Sequence, residues 1–318
     1  MTATTTSIAW TDRTWNPLRG CTIKLVRKTS QGWKWTGEVR LIEKDLDAPL
    51  RWKKPRRIFV NSMSDVFYEQ VPNEWIDKIF AVMALAPQHQ FQVLTKRADR
   101  MYTYFTQARF LSSLAEDIAA EAMAGGRVIW DERGSNPDHY RTCQGGIPQP
   151  AQLAKRWVWP GWPLPNVSLG VSVENQATAD ERIPWLLQTP AAVRFVSYEP
   201  ALGTVDFRPY MPKRVWHDLP SWQEPAINWL ICGGESGPQS RPCDAQWLRS
   251  VVQQCQQAGV PCFVKQLGAH AYQSARHEGS TGYMLQLQDR KGADPTEWPE
   301  DLRVQQSVLP AKADSSQK

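Results

Sequence analysis

Six times along the chain an apolar, β-prone run empties into small polar or charged residues. The runs are IFVNSMSD (58–65), FQVLTKR (91–97), VSLGVSVEN (167–175), VRFVSYEP (193–200), NWLICGGES (228–236) and PCFVKQ (261–266). Apolar entry with polar exit is the pattern of a buried parallel strand whose C-terminal end opens onto a working surface. Several such strands sharing one polar end predict an α/β fold: a partial or complete β/α (TIM-like) barrel with mostly parallel strands, whose chemistry collects at the C-terminal rim.

Helical spacing appears between these runs. Trp75, Ile76, Ile79, Phe80 and Met83 predict a helix capped by Asn73 behind Pro72. Trp247, Leu248, Val251, Val252 and Cys255 predict another, capped by Asp244 and stopped by Gly259 and Pro261. Each falls between two strand runs, as right-handed crossovers require. The span 99–166 is too long for one crossover and reads as a helix over Arg109–Ala124 followed by a Gly- and Pro-rich excursion across the barrel mouth. Proline-rich residues 202–225 carry no helical stripe, which predicts an incomplete barrel. Asn16-Pro17 and Arg19-Gly20 predict a tight bend before Cys21, and Trp35–Ile42 a short strand. From Gln305 onward the chain is polar and reads as a frayed end. The expected organisation is a basic N-terminal segment (1–57), a barrel core (58–270, with an insertion over about 110–166) and a C-terminal extension with a polar tail (271–318).

With 42% apolar and 22% charged residues the chain can bury a substantial core. No apolar run approaches the roughly 18 to 20 residues that span a bilayer, so no membrane is expected as a partner. The opening MTATTTSIAW lacks the basic start and apolar core of a secretory leader, and the expected location is cytoplasmic. Cysteines 21, 143, 232, 243, 255 and 262 form no CxxC pair and read as reduced thiols. Cys255 belongs to an apolar helical stripe and reads as a small core residue. Residues 1–60 hold 13 Lys/Arg and 5 Asp/Glu, a balance of +8 that leaves −3 for the rest of a chain at +5. Such an imbalance fits either a phosphate-bearing partner or a solvated face. RWKKPRR (51–57) precedes the first strand run, at the end opposite the rim, and reads as solvated surface rather than substrate site.

The predicted rim gathers Asn61, Ser64, Asp65, Thr95, Lys96, Arg97, Ser172, Glu174, Asn175, Ser197, Glu199, Glu235, Ser236, Lys265 and Gln266. Three glutamates and three cations either pair with one another or hold a ligand carrying both signs, with carboxylate or phosphate beside amino or hydroxyl groups. Gly233-Gly234 permits close backbone approach ahead of Glu235. His89, His139, His217, His270 and His277 form no metal-binding pair, and His89 reads as a surface residue in a helix-to-strand loop. A nucleophile elbow and a Walker loop are both absent, which argues against hydrolase and NTPase classes.

Together WTDRTWNPLRGC, RWKKPRRIFVNSMSDVF, FQVLTKR, LPNVSLGVSVENQ, RFVSYEP, GGESGP and FVKQLG resemble a phage-associated, radical-SAM-like family with a three-cysteine motif near its N-terminus. The match runs in order from about Ile8 to Gly268. The resemblance implies a partial β/α barrel in which three cysteines hold a [4Fe–4S] cluster. S-adenosylmethionine would bind the open iron and be cleaved reductively, with nucleic acid as a substrate class. Cys21 matches the first cysteine of that motif. The implied cofactor-binding set is Asn61, Ser64, Asp65, Lys96, Arg97, Ser172, Glu174, Asn175, Glu199, Gly233, Gly234, Glu235 and Lys265. Within it, the SVEN and GGES strand ends grip the ribose and amino-acid parts.

The chain departs from that pattern at one place. Beyond Cys21 it reads CTIKLVRKTSQGWKWTGEV, without the C-x-x-C pair, aromatic residue and helix the family carries there. One thiolate does not hold a cluster that takes three protein ligands. Three readings follow: a radical enzyme, a cluster-free binding protein for a nucleotide-like ligand, nucleic acid or partner protein, and an inactive remnant.

Overall fold

The structure, a computed structural model, describes residues 10–19, 26–29, 32–35, 38–106, 163–212, 225–237, 239–275 and 281–308. All six apolar-to-polar runs are strands, and a seventh precedes them. In chain order these are β1 (Arg13–Trp15), β2 (Arg57–Val60), β3 (Gln90–Thr95), β4 (Val167–Val173), β5 (Val193–Tyr198), β6 (Trp229–Gly233) and β7 (Cys262–Gln266). They form one parallel sheet in which spatial order follows chain order. That order, open at β1 and β7, is a partial β/α barrel.

The short β1 carries only Trp15 as a large apolar residue, so no strand pattern marks it. Its identity comes from pairing: Arg13, Thr14 and Trp15 align with Ile58, Phe59 and Val60. Trp15 is fully buried and donates its indole N–H to the Asp45 carbonyl at 2.8 Å. The β2–β3 register sets Ile58 beside Phe91 and Val60 beside Val93, all four fully or almost fully buried. Burial of each such side chain contributes about 1.5–3 kcal/mol.

Among the described residues four helices are well formed: α1 (Asn73–Leu85), α2 (Ala98–Thr106), α3 (Gln176–Gln188) and α4 (Ala245–Ala258). In α1, Ile76, Ile79, Phe80 and Met83 are buried as their spacing predicts, and Trp75 is half-buried. Asn73 is not the cap. Pro72 holds that place, its carbonyl accepting the Trp75 and Ile76 N–H groups, and Asn73 is the first helical residue. In α4, Asp244 does cap, accepting the Gln246 N–H at 2.9 Å, and Gly259 ends the helix with φ +70°. A side chain at Gly259 would be strained in that left-handed conformation.

The remaining connections are irregular. Between β1 and β2 the described residues hold two single-turn helices, Glu43–Leu46 and Ala48–Arg51. The strand expected over Trp35–Ile42 contracts to Arg40–Leu41, paired antiparallel with Leu18–Arg19, while Trp35 ends a separate strand, Gly32–Trp35. Between β5 and β6 a 3-10 turn, Arg208–Tyr210, is described, and residues 213–224 of the proline-rich segment lie outside the described residues. The helix expected over 109–124 and the excursion after it lie outside the described residues.

Two expectations are corrected. His89 is fully buried rather than on the surface, because Trp52 and Phe91 pack against its ring and the Pro49 carbonyl lies 3.0 Å from Nε2. The chain from Gln305 does not fray at once. Val264 N–H donates to Val304 O at 2.7 Å and Gln306 N–H to Cys262 O at 2.8 Å, an antiparallel cover along the outer edge of β7. Backbone pairing of this kind needs no apolar side chain and blunts an exposed sheet edge.

The chain divides into two compact units, Met1–Ser168 with Thr189–Ala192, and Leu169–Gln188 with Val193–Lys318. Among the described residues no helix is long and apolar enough to cross a membrane.

Candidate functional site

In the first unit, the exit of β2 holds down the segment that follows β1. Asn61 takes the left-handed conformation (φ 56°), which an asparagine tolerates better than most side chains. Its N–H donates to Trp15 O at 2.8 Å and its Oδ1 accepts the Leu18 N–H at 3.3 Å. Ser64 Oγ donates to Leu18 O at 3.1 Å, and Ser62 Oγ to Asn16 Oδ1 at 3.1 Å. Asn61 and Ser64 therefore position the chain leading toward Cys21, which itself lies outside the described residues.

Asp65 joins the β2 and β3 exits. Its carboxylate accepts from Thr95 Oγ1 (2.8 Å), Phe67 N–H (2.9 Å), Lys96 N–H (3.1 Å) and Arg97 Nη1 (3.1 Å). Arg97 also donates from Nε to Glu69 at 2.7 Å, and its guanidinium lies 4.7 Å from the Tyr68 ring centre. Burial works to lower the Arg97 pKa, but the hydrogen bond to Glu69 and the two carboxylate charges outweigh it and raise it. With four donors Asp65 is satisfied, and this cluster is a joint more than an open ligand grip.

In the second unit the predicted glutamates each meet a cation. At the β4 exit, Glu174 Oε2 accepts from Arg182 Nη1 at 3.0 Å, and the same nitrogen donates to Ser172 O at 2.9 Å. Asn175 caps α3 there, its Oδ1 accepting the Thr178 N–H at 3.0 Å. At the β6 exit, Arg241 donates to Glu235 through Nε (2.8 Å), Nη2 (3.1 Å) and its backbone N–H (3.0 Å). Those bonds hold the Glu235 carboxyl down to about 2. The loop around it encloses an open cavity of about 550 Å³ lined by Glu235, Ser236, Gly237, Gln239 and Ser240. His270 Nδ1 lies 2.7 Å from Ser240 O and fixes the far end of that loop.

The third pair spans three strands. Lys265 Nζ on β7 lies 2.8 Å from Glu199 Oε1 beyond β5, and Ser197 Oγ donates to Glu199 Oε2 at 2.9 Å. Between them runs β6, where Gly233 stands. A Cβ there would lie 3.3 Å from Glu199 Oε1 and 2.9 Å from Gln266 O. At Gly234 it would fall 2.1 Å from Leu267 O, so both glycines are required by close approach. Glu199, Gly233 and Lys265 thus form one constellation, with Ser197 supporting it.

Arg182 and Arg241 are the charge partners that strand-end reasoning misses. Arg182 lies on α3 and Arg241 in an irregular loop, so neither stands where a strand-end pattern would register it. With them, the second unit presents three compensated pairs, a surface of alternating sign suited to a zwitterion better than to a polyanion.

Among the described residues the cysteines form no three-thiolate ligand set. Cys232, Cys243, Cys255 and Cys262 are free and buried. Burial pushes the Cys243 thiol up to about 12, and a hydrogen bond with Cys262 together with burial raises Cys255 further. Thiols so shifted are protonated near neutral pH and read as core side chains. Among the described residues no group of three His, Cys, Asp or Glu is arranged to hold a metal. Cys21 and Cys143, outside them, supply at most two of the three thiolates required.

Fold and strand ends define a partial β/α barrel protein whose second unit carries compensated charge pairs at its strand exits. The chain belongs to the family described as protein of unknown function, DUF5131, whose sequence model matches residues 23–295. No curated protein and no solved structure matches it.

Proposed function

We propose that the chain descends from phage-associated, radical-SAM-like enzymes and acts as a cluster-free binding protein in the cytoplasm. Its ligand is a small nucleotide-like zwitterion, of which S-adenosylmethionine is the natural probe, taken at the ends of β5, β6 and β7. The observation that carries this reading is the Glu199–Lys265 pair reaching over Gly233. A carboxylate and an ammonium held side by side offer complementary partners to a ligand amino group and carboxylate. The bare glycine between them lets the two side chains meet over β6. Reductive cleavage of S-adenosylmethionine to modify nucleic acid is the alternative, and the cysteine set opposes it.

Calorimetry on iron-free protein tests the proposal. S-adenosylmethionine is expected to bind without iron, and Glu199→Gln and Lys265→Met each to weaken it at least tenfold. Absence of heat with wild-type protein would overturn the binding reading. Stoichiometric [4Fe–4S] formation after anaerobic reconstitution, with binding only then, would restore the enzymatic one.

A further inference from the structure

The first unit has two unlike ends. At the C-terminal end of its strands, Arg97 is neutralised by Asp65 and Glu69. At the N-terminal end the cations are of two kinds. Arg57 pairs with Asp12 and Arg51 with Asp47. Arg13, Lys53, Lys54 and Arg56 have no carboxylate partner among the described residues, and the Arg56 Nε is buried without a hydrogen-bond acceptor. Trp52, next to Lys53 in the chain, is half-buried, with the Arg13 guanidinium 5.2 Å from its ring centre and His89 edge-on at 5.9 Å. Lys53 and Lys54, on the approach to β2, are exposed.

Scattered surface charge is usually mixed in sign, and isolated lysines on a solvated face need no partner. Here four uncompensated cations fall within one short stretch and one neighbouring strand, beside an aromatic ring that Arg13 and His89 contact. Arg56 is also half-buried. Leaving a guanidinium partly desolvated and unpaired is unfavourable unless something anionic completes it. Phosphates at regular spacing satisfy that requirement, and the accessible part of the half-buried Trp52 indole would give an unpaired base an aromatic contact.

We infer that the N-terminal end of β1 and β2, built from Arg13, Trp52, Lys53, Lys54 and Arg56, is a docking surface for single-stranded nucleic acid. Docking here uses residues of the first unit alone and does not depend on the zwitterion site. Contact is through phosphates, so binding is electrostatic and tolerant of sequence, with Trp52 adding a stacking contribution.

The test is fluorescence anisotropy of the full chain with a fluorescein-labelled 20-nucleotide single-stranded DNA across a salt series. Four phosphate contacts predict a slope of log K against log salt of about −3, at roughly −0.7 per contact. Lys53→Glu with Lys54→Glu is expected to weaken binding at least tenfold at low salt and to halve the slope. Both side chains are exposed, and unchanged circular dichroism will confirm folding. Arg290→Glu with Lys291→Glu makes the same change in net charge elsewhere and is expected to alter affinity less than twofold. The inference is overturned if wild-type protein does not bind the oligonucleotide, or if the control pair weakens binding equally. It is also overturned if polyglutamate at equal charge competes as well as unlabelled oligonucleotide, which would assign the surface to an acidic protein.

Discussion

Lys265 Nζ and Glu199 Oε1 lie 2.8 Å apart although their strands are not neighbours. The contact exists because β6 offers only Gly233 beneath it. Breaking a fully buried ion pair by removing one partner costs about 3–5 kcal/mol. With Lys265 28% and Glu199 13% exposed, Lys265→Met is expected to lower stability by less, about 2 kcal/mol. Glu199→Gln in the Lys265→Met background should recover about 1 kcal/mol, because no uncompensated carboxylate then remains. Urea unfolding of the two single variants and the double variant measures that coupling.

Gly234 makes a sharper steric claim. A Cβ at that position meets the Leu267 backbone carbonyl at 2.1 Å, so only backbone movement could admit it. Gly234→Ala is expected to cost about 3 kcal/mol, at the upper end of overpacking losses. Gly203, with nothing within 4 Å of its would-be Cβ, is the control, and Gly203→Ala should stay within about 0.5 kcal/mol. Equal losses at the two sites in thermal unfolding would contradict the close approach.

Six strands were legible because each combines an apolar run with an abrupt polar exit, and α1 and α4 because their apolar spacing is regular. β1 was not, since three residues cannot establish a period and only pairing with β2 defines them. Glutamates at strand ends were visible as candidates, whereas Arg182 and Arg241 become partners only through the fold. His89 was misplaced because burial of a loop residue is decided by Trp52 and Phe91, distant in sequence. Gln305 and Gln306 join β7 through backbone hydrogen bonds and through their own polar side chains, contacts that hydropathy does not record.

Asp65 should matter to stability independently of any ligand. Asp65→Ala leaves Thr95, the Phe67 and Lys96 N–H groups and Arg97 without this acceptor. Hydrogen bonds to a charged group contribute about 1.5–3 kcal/mol, and water can reach part of this site, so the net loss is expected near 3 kcal/mol. Asp65→Asn keeps part of the network and should lose about half as much. Parallel denaturant titrations separate the two.

Removing the chain after Arg303 strips Val304, Gln305 and Gln306 from the edge of β7 and takes away the Gln306 carbonyl that accepts the Trp229 indole N–H at 3.0 Å. The truncated protein is expected to melt at a lower temperature and to associate in a concentration-dependent way, because a bare edge is a template for another strand. Light scattering across a dilution series reads this directly. A monodisperse truncation with unchanged melting would mean the segment only rests on the sheet.

Glu235 gives the pH prediction. Its carboxyl is held at about 2, against an ordinary 4.5, first by the side-chain hydrogen bonds from Arg241 and then by that residue's backbone N–H. A depressed carboxylate contributes stability that is fully present above the unfolded value near 4.5 and is lost as pH falls through about 2. Carboxyl-carbon NMR should therefore show Glu235 still ionised at pH 3, where unperturbed glutamates are protonated. Arg241→Ala should return its titration to the ordinary range, since the donors responsible are mostly on that side chain. High salt should raise the wild-type value as well, because both partners are solvent-accessible and their attraction is screened. A Glu235 resonance that titrates near 4.5 in wild-type protein would mean the fork does not persist in solution, and the loop lining the cavity would lose its anchor.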